Sequence, residues 1–302
     1  MNLIQRIIFP IRHLLVHPLN RGRKLYGLWR FLSWQCMGRI SRQGIIVKYI
    51  NDTRMMLRRG QHIASGIAYV GLFEFEEMAF ALHFLRSTDL LVDVGANIGA
   101  YVVLGGGVVG ARCIACEPVP AAFAALTENI KLNGIMDRVE AHSIGVGREA
   151  GVLTFSTDED SVNHVIGRWD TDPLTGRVDV PVKSLDDILV GLDPALIKVD
   201  VEGFEKEVVA GASEVLSRPS LLALLIELNG SGYRYDVDED EIHEAILRYG
   251  FRAYKYEPFT RSLTDLGELR AKTATTIYLR DIANVQKRIE TAPRYLVNGR
   301  AI

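Results

Sequence analysis

Two short runs that mix acids with glycines carry the chemistry of this sequence. The first is Leu90-Leu91-Val92-Asp93-Val94-Gly95-Ala96-Asn97-Ile98-Gly99. Apolar residues around one acid, then Gly-x-Asn-x-Gly, form the pattern of a buried parallel strand that breaks into a tight turn and feeds a helix from near Ile98. The second run, Ala195 to Glu205, is an apolar strand that ends in Asp200, Glu202 and Glu205 around Gly203. Both point to the carboxyl edge of an open α/β sheet, where such sheets bind their ligands.

Asn97 decides which ligand the first turn suits. A dinucleotide turn places glycine there so that its backbone can approach a pyrophosphate. The spacing Asp-x-Gly-x-x-x-Gly, with the acid on the strand, suits a ligand that brings an ammonium and a carboxylate. Gly95 gives a permissive backbone, the helix N-terminus offers donors to the carboxylate, and Asp93 offers charge to the ammonium. S-adenosylmethionine has those groups. The next strand, Ala111 to Cys116, runs into Glu117-Pro118, where an acid can accept from both hydroxyls of an adenosine ribose. The competing reading makes Asp93 a turn cap and Glu117 a solvated strand end.

At the second run, sheet order brings Asp200, Glu202, Glu227 and Asn229 together. Such acids can orient a nucleophile and ease its deprotonation, hold a divalent cation such as Mg²⁺, or cap helices. Asn163-His164 lies in a long polar loop, residues 158 to 177. A histidine there is either a surface residue or a base able to take a hydroxyl proton near neutrality.

The elements that must hold these residues follow from periodicity. A hairpin spans 44–50 and 54–58 across Asn51-Asp52, and Glu74, Glu76 and Glu77 open a helix from Met78 to Leu85 that covers a sheet edge or folds back over the cofactor. From Thr88 strand and helix alternate, which argues for a mostly parallel sheet covered on both faces. Gly105-Gly106-Gly107 ends the first helix or lets another backbone come close. A second helix, Ala121 to Leu132, stops at Asn133-Gly134. Strand three is Val139 to Ile144, and two further strands flank the polar loop. Strand five is Leu221 to Ile226, and a last helix runs from Glu239 to Tyr249. Strands Phe251–Tyr256 and Thr275–Leu279 pair antiparallel to finish the sheet, leaving residues after Asp281 as a tail. The chain thus divides into a basic extension (1–64), the ligand-binding domain (65–282) and the tail (283–302).

Composition narrows the partners. The chain has 302 residues, 48% hydrophobic and 24% charged, with a net charge of -2, so no global field recruits nucleic acid. Cys36, Cys113 and Cys116 make no disulfide framework, and Cys113-x-x-Cys116 lies inside a strand as buried hydrophobes rather than a metal or redox pair. Nine basic residues, from Arg6 to Lys48, precede the first acid, Asp52. Residues 1 to 20 are too interrupted to span a bilayer and lack a cleavage site. They either lie on an anionic membrane surface or cap the main domain, with Pro10 and Pro18 breaking any long helix.

Asp93-Val-Gly-Ala-Asn-Ile-Gly99, Glu117-Pro118 and Ile197-Lys-Val-Asp-Val-Glu-Gly-Phe-Glu205, followed by Gly211-Ala212, resemble the FkbM-type S-adenosylmethionine-dependent methyltransferases over about residues 65 to 280. The resemblance implies a Rossmann-like class I methyltransferase fold, α/β with a seven-stranded, mostly parallel sheet and an antiparallel last strand. It implies methyl transfer to a hydroxyl of a small molecule or saccharide; the cysteine usage and the basic N-terminus, not the resemblance, suggest the cytoplasm or the inner membrane face. By the same resemblance Asp93, Gly95, Asn97 and Gly99 line the methionine part of the cofactor, Glu117 with Pro118 takes the ribose, and Ser143 meets adenine. The base is His164, Asp200 or Glu202, and no metal is assigned. The family often has His after the glycine of the second motif; this chain has Phe204. The rival readings are an NAD(P)-linked reductase, disfavoured by Asn97, and a non-catalytic member that docks to a membrane or complex.

Overall fold

The computed structural model describes residues 11–302 except 13, 42, 158–162, 168–175 and 272–273. In chain order it builds α1 (Lys24–Ile40), the hairpin β1 (Ile45–Lys48) and β2 (Arg54–Leu57), α2 (His62–Val70), α3 (Phe75–Phe84), β3 (Leu90–Val94) and α4 (from Ala100). These are followed by β4 (Arg112–Cys116), α5 (Pro120–Leu132), β5 (Val139–His142), β6 (Gly145–Val146), β7 (Gly151–Ser156), β8 (Arg177–Lys183) and α6 (Leu185–Ile188). Then come β9 (Leu196–Val199), α7 (Glu205–Ala210), α8 (Ser213–Ser217), β10 (Ala223–Leu228), α9 (Glu239–Arg248), β11 (Arg252–Glu257), β12 (Ser262–Asp265), β13 (Ala274–Leu279), α10 (Ile282–Thr291), β14 (Leu296–Val297) and β15 (Arg300–Ala301).

The central sheet has the order β12-β11-β13-β10-β9-β3-β4-β5. The five strands from β10 to β5 pair in parallel, whereas β13 is antiparallel to β10 and β11, and β12 is antiparallel to β11. The architecture is the expected Rossmann-like one with eight strands instead of seven, because β12 adds a short polar hairpin strand to the edge. From β3 the chain goes to β4 on one side and returns through β9 on the other. This reversal opens a crevice at the carboxyl ends of β3 and β9, where both acidic runs end.

Alternation along the strands feeds two cores. Leu91, Ala115, Leu196 and Leu225 face α3 and α4, with Phe80, Phe84 and Val103; Val92, Ile114, Ile197 and Ile226 face the opposite layer, with Val208, Leu216 and Ile246. Cys113 and Cys116 are buried, one in each core. The triple glycine does not end its helix: α4 starts as Ala100–Val102, continues as π-helix through Val103–Val109 and caps at Gly110, φ 84°. Among the described residues no other backbone comes close either: what the glycine admits is side chains, since a Cβ on Gly105 would sit 2.6 Å from the Leu91 side chain and 3.2 Å from Cys113 Sγ.

Two expected boundaries are not seams. Residues after Asp281 are no tail: Val285 and Ile289 of α10, then Tyr295, Val297 and Ile302, are buried in the same core as α3, and Arg288 pairs with Asp89 at 2.6 Å. Leu14, Phe31, Trp34, Met55 and Leu57 bring the N-terminal region into that core as well. Strand three is also shorter than expected, because the chain leaves the sheet after His142 so that β6 can pair with β8.

Candidate active site

The first turn is shaped by its neighbour across the crevice. Gly95 has φ 79°, and a Cβ there would lie 1.8 Å from the Asp200 carbonyl oxygen, so only glycine lets the ends of β3 and β9 meet. Its amide and that of Ala96 both donate to the Cys116 carbonyl, at 2.9 and 3.0 Å. Asn97, φ 48°, donates its amide to Glu117 Oε2 at 2.8 Å, while its own Oδ1 accepts from the Ile98 amide. Gly99 donates to Ala96 and packs against Leu126 in front of α4. The turn's amides from Gly95 to Gly99 are thus engaged within the protein. Gly95→Ala is expected to lower the melting temperature by several degrees and abolish cofactor binding, a steric clash being added to the about 1 kcal/mol of a left-handed alanine; thermal melts and calorimetry check it.

Glu117 is no solvated strand end. It is 5% exposed, and its second oxygen accepts from the Val119 amide at 2.9 Å, so the carboxylate ties the turn after β3 to the turn after β4. Burial pushes its pKa up to about 7 against the pull of those two amides. Each oxygen keeps a second lone pair, and the residue lines a cleft.

That cleft gathers Gly95, Asn97, Glu117 and Pro118 from the β3–β4 side and Asp200, Glu202 and Phe204 from the β9 side, with Ile144, Val146, Phe155 and Val165 as an apolar wall. Four expected residues, Ser143, Gly99, Asp93 and His164, lie outside its lining. Ser143 is exposed, and its neighbour Ile144 faces the cleft instead. Gly99 serves helix packing. Asp93 lies behind the turn, 1% exposed, and its nearest ion-pair partner is Lys198 Nζ at 4.0 Å.

Behind the cleft the acids form a network around Lys198, which follows Ile197 in β9 and pairs in register with Asp93. Burial alone would lower the Lys198 ammonium, but the carboxylates of Asp200, Asp93 and Glu74 outweigh it and hold its pKa above the ordinary value. Asp200 Oδ2 accepts from Lys198 at 3.0 Å. Burial opposes ionisation of Asp200, yet Lys198 and a hydrogen bond from Glu227 keep it below the usual carboxylate range. Glu227 moves the opposite way, upward through burial and the adjacent Asp200 charge, so the proton of the pair resides on Glu227. Tyr101 donates to Glu74 Oε2 at 2.7 Å, and its ring lies 5.2 Å from Lys198 Nζ. Burial pushes Asp93 up to about 6, helped by the Asp200 charge and opposed by Lys198.

Glu202 stands apart from this network at the cleft wall. It adopts φ 55°, held by Glu205, whose Oε1 accepts from the Val201 and Gly203 amides at 3.0 and 3.2 Å. Burial and the Asp200 charge push the Glu202 pKa up to about 7, opposed by Arg234 and His164. The Arg234 guanidinium lies 3.7 Å from Glu202 Oε2 and donates to the Glu202 carbonyl at 3.1 Å. His164, 3% exposed, is not a surface residue; its amide donates to Ser156 Oγ at 3.1 Å, and it reaches the cleft through its field on Glu202. Asn229 Oδ1 accepts from the Ser231 amide, a local turn contact. Asp200, Glu202 and Glu227 can each place one oxygen within 4.8 Å of the others, but Lys198 already compensates Asp200 and Glu227 carries the proton. The donor set therefore fits proton handling better than a divalent ion.

These acids make a pH prediction. Glu117, Glu202 and Glu205 all sit near 7 because of burial, above the ordinary value of about 4.3 for an unfolded chain. A raised acid contributes stability that is present at low pH and lost as pH rises through the folded value. Between pH 8 and 6.5 the ligand-free protein is therefore expected to gain on the order of 1 kcal/mol from each. Below pH 6.5 the gain meets opposition, because burial lowers His83 to about 4 and folding then excludes a proton that the unfolded chain binds. His83 excludes at most one proton while the three acids together bind more than two down to about pH 5, so the melting temperature should keep rising as pH falls from 8 to about 5; a melting temperature that rises steadily from pH 6 to 8 contradicts this.

A family model described as Methyltransferase FkbM domain matches residues 93–253. Methyltransferase sdnD of Sordaria araneosa is 30% identical over 172 residues, covering 46% of this chain and 66% of that protein. Hexuronic acid methyltransferase AglP of Haloferax volcanii is 29% identical over 150 residues, covering 47% and 56%. The matched region thus spans less than two thirds of either relative's length. Among solved structures, precorrin-6y C5,15-methyltransferase of Geobacter metallireducens superposes with a TM-score of 0.39 and 11% identity over 68% of this chain and 87% of that one.

Proposed function

Because the chain belongs to the FkbM methyltransferase family, we propose that it moves a methyl group from S-adenosylmethionine to a hydroxyl of a saccharide or other small acceptor, with Glu202 as the base. The observation that carries this reading is a carboxyl group on the cleft wall with a pKa of about 7, where a base works best at neutral pH. When bound, S-adenosylmethionine supplies a methyl group already activated on a sulfonium. The protein's part is to orient the acceptor and receive its proton; orientation alone can contribute about 7 to 11 kcal/mol.

The residues fit that cofactor. Glu117 holds two unused lone pairs toward a ribose diol, Ile144, Val146 and Phe155 offer an apolar wall to a base, and Asp93 keeps both buried oxygens without a hydrogen bond behind the turn. Asp200 is committed to Lys198 and Glu227, which leaves Glu202 as the carboxylate able to take a proton. At the outer mouth, Arg59 borders Asn97 and Asn163, beside Arg58, which is paired with Glu128 at 2.7 Å. This suits an acceptor that carries negative charge, as the acid named for the Haloferax relative does. Calorimetry tests the cofactor: S-adenosylmethionine should bind and NADH should not, the reverse pointing to a reductase.

A further inference from the structure

Helix α1 is apolar on two opposite faces. Gly27, Phe31, Trp34 and Gly38 are buried against the body of the protein, and Arg30 donates to the Ala68 and Ile67 carbonyls of α2. The other face carries Leu25, Trp29, Leu32, Cys36 and Ile40, at intervals of four, three, four and four residues. This is the spacing of a single stripe about 100° wide. The stripe faces solvent: Leu25 and Ile40 are each 83% exposed, Trp29 62% and Leu32 60%, and Met37 beside it is 45% exposed. A helix with this much apolar surface on both sides needs cover on both.

The charge around the stripe identifies the cover. Arg21, Arg23, Lys24 and Arg39 flank it and are exposed, and no acid occurs before Asp52. No helix of the described residues is long and apolar enough to cross a membrane, and α1 carries Lys24, Arg30 and Arg39 within its 17 residues. An apolar stripe edged by cations, on a helix too short and too charged to insert, matches the surface of an anionic bilayer. We propose that the outer face of α1 docks the protein onto anionic lipid surfaces, with Trp29 and Leu32 entering the headgroup boundary. Gly38, near the end of α1, abuts Arg59, and Arg59 edges the outer mouth of the cleft with Asn97 and Asn163.

The test is co-sedimentation of the full chain with vesicles of phosphatidylserine and phosphatidylcholine against phosphatidylcholine alone. Binding is expected to the first and not the second, to weaken with added salt, and to shift the Trp29 emission to the blue. Trp29→Glu with Leu32→Glu, both at exposed positions, should keep the melting temperature and lower vesicle binding roughly tenfold or more; Lys24→Glu with Arg39→Glu should weaken it in a salt-dependent way. Failure to bind anionic vesicles overturns the proposal, as does unchanged binding by the Trp29/Leu32 variant. So does a dimer, seen by light scattering, that the same variant dissociates while vesicles have no effect, since the stripe would then be covered by a second copy.

Discussion

Glu202→Gln is expected to keep cofactor affinity nearly unchanged while lowering kcat by about 10²- to 10⁴-fold, the contribution of a positioned base. Glutamine preserves the length of the side chain and its contact with Arg234, so the φ 55° loop held by Glu205 should survive. The variant differs only in being unable to accept a proton. The pH profile separates this from a structural effect. In the native enzyme kcat/KM should rise with pH through about 7, as Glu202 loses its proton, and this limb should vanish in Glu202→Gln. Because the field of His164 favours the ionised form of Glu202, His164→Ala should move the limb to higher pH without removing it. Full activity in Glu202→Gln would mean that orientation alone drives transfer and that the acceptor proton leaves to water.

The sheet was legible because its signal is periodic: β3, β4, β9 and β10 are apolar runs bounded by turn residues, and the acids that close them mark the crevice. What stayed hidden depends on contacts between segments distant in sequence. Gly95 reads as a turn glycine, but its obligation comes from the Asp200 carbonyl more than one hundred positions away. Glu117 was placed correctly at a strand end, yet its burial follows from the Asn97 and Val119 amides. Ser143 was misplaced because β6 draws the chain out of the sheet and turns Ile144 inward. The supposed tail contains Val285 and Ile289 four residues apart, but with Lys287, Arg288 and Glu290 among them the helical stripe is only two residues wide. Lys198 did carry a signal that went unused. A lysine between Ile197 and Val199 in a buried parallel strand needs an acid on the neighbouring strand, and Asp93 is the acid that register places there.

Lys198→Met should be the most destabilising single change, since methionine fills a similar volume and removes only the charge. Asp93 and Asp200, on one face of the sheet, and Glu74 beside them then lose the cation that offsets their desolvation. Breaking a buried pair by removing one partner costs about 3 to 5 kcal/mol, which for a chain of this size lowers the melting temperature by roughly 5 to 8 °C. The loss should depend on pH in a fixed direction. Without Lys198 the folded pKa values of Asp93 and Asp200 rise, and raised acids favour folding at low pH and oppose it as pH increases. The variant should therefore approach native stability near pH 5 and fall furthest behind at pH 8. Adding Asp200→Asn to Lys198→Met removes one uncompensated charge and should restore part of the lost stability, a coupling that a double-mutant cycle measures directly. A deficit equal at pH 5 and pH 8, or a double variant no better than the single one, would assign the effect to packing. The buried lysine would then be a filler of space, and Asp200 would lack the fixed negative charge that keeps the proton on Glu227 and the Glu202 carboxyl near neutrality.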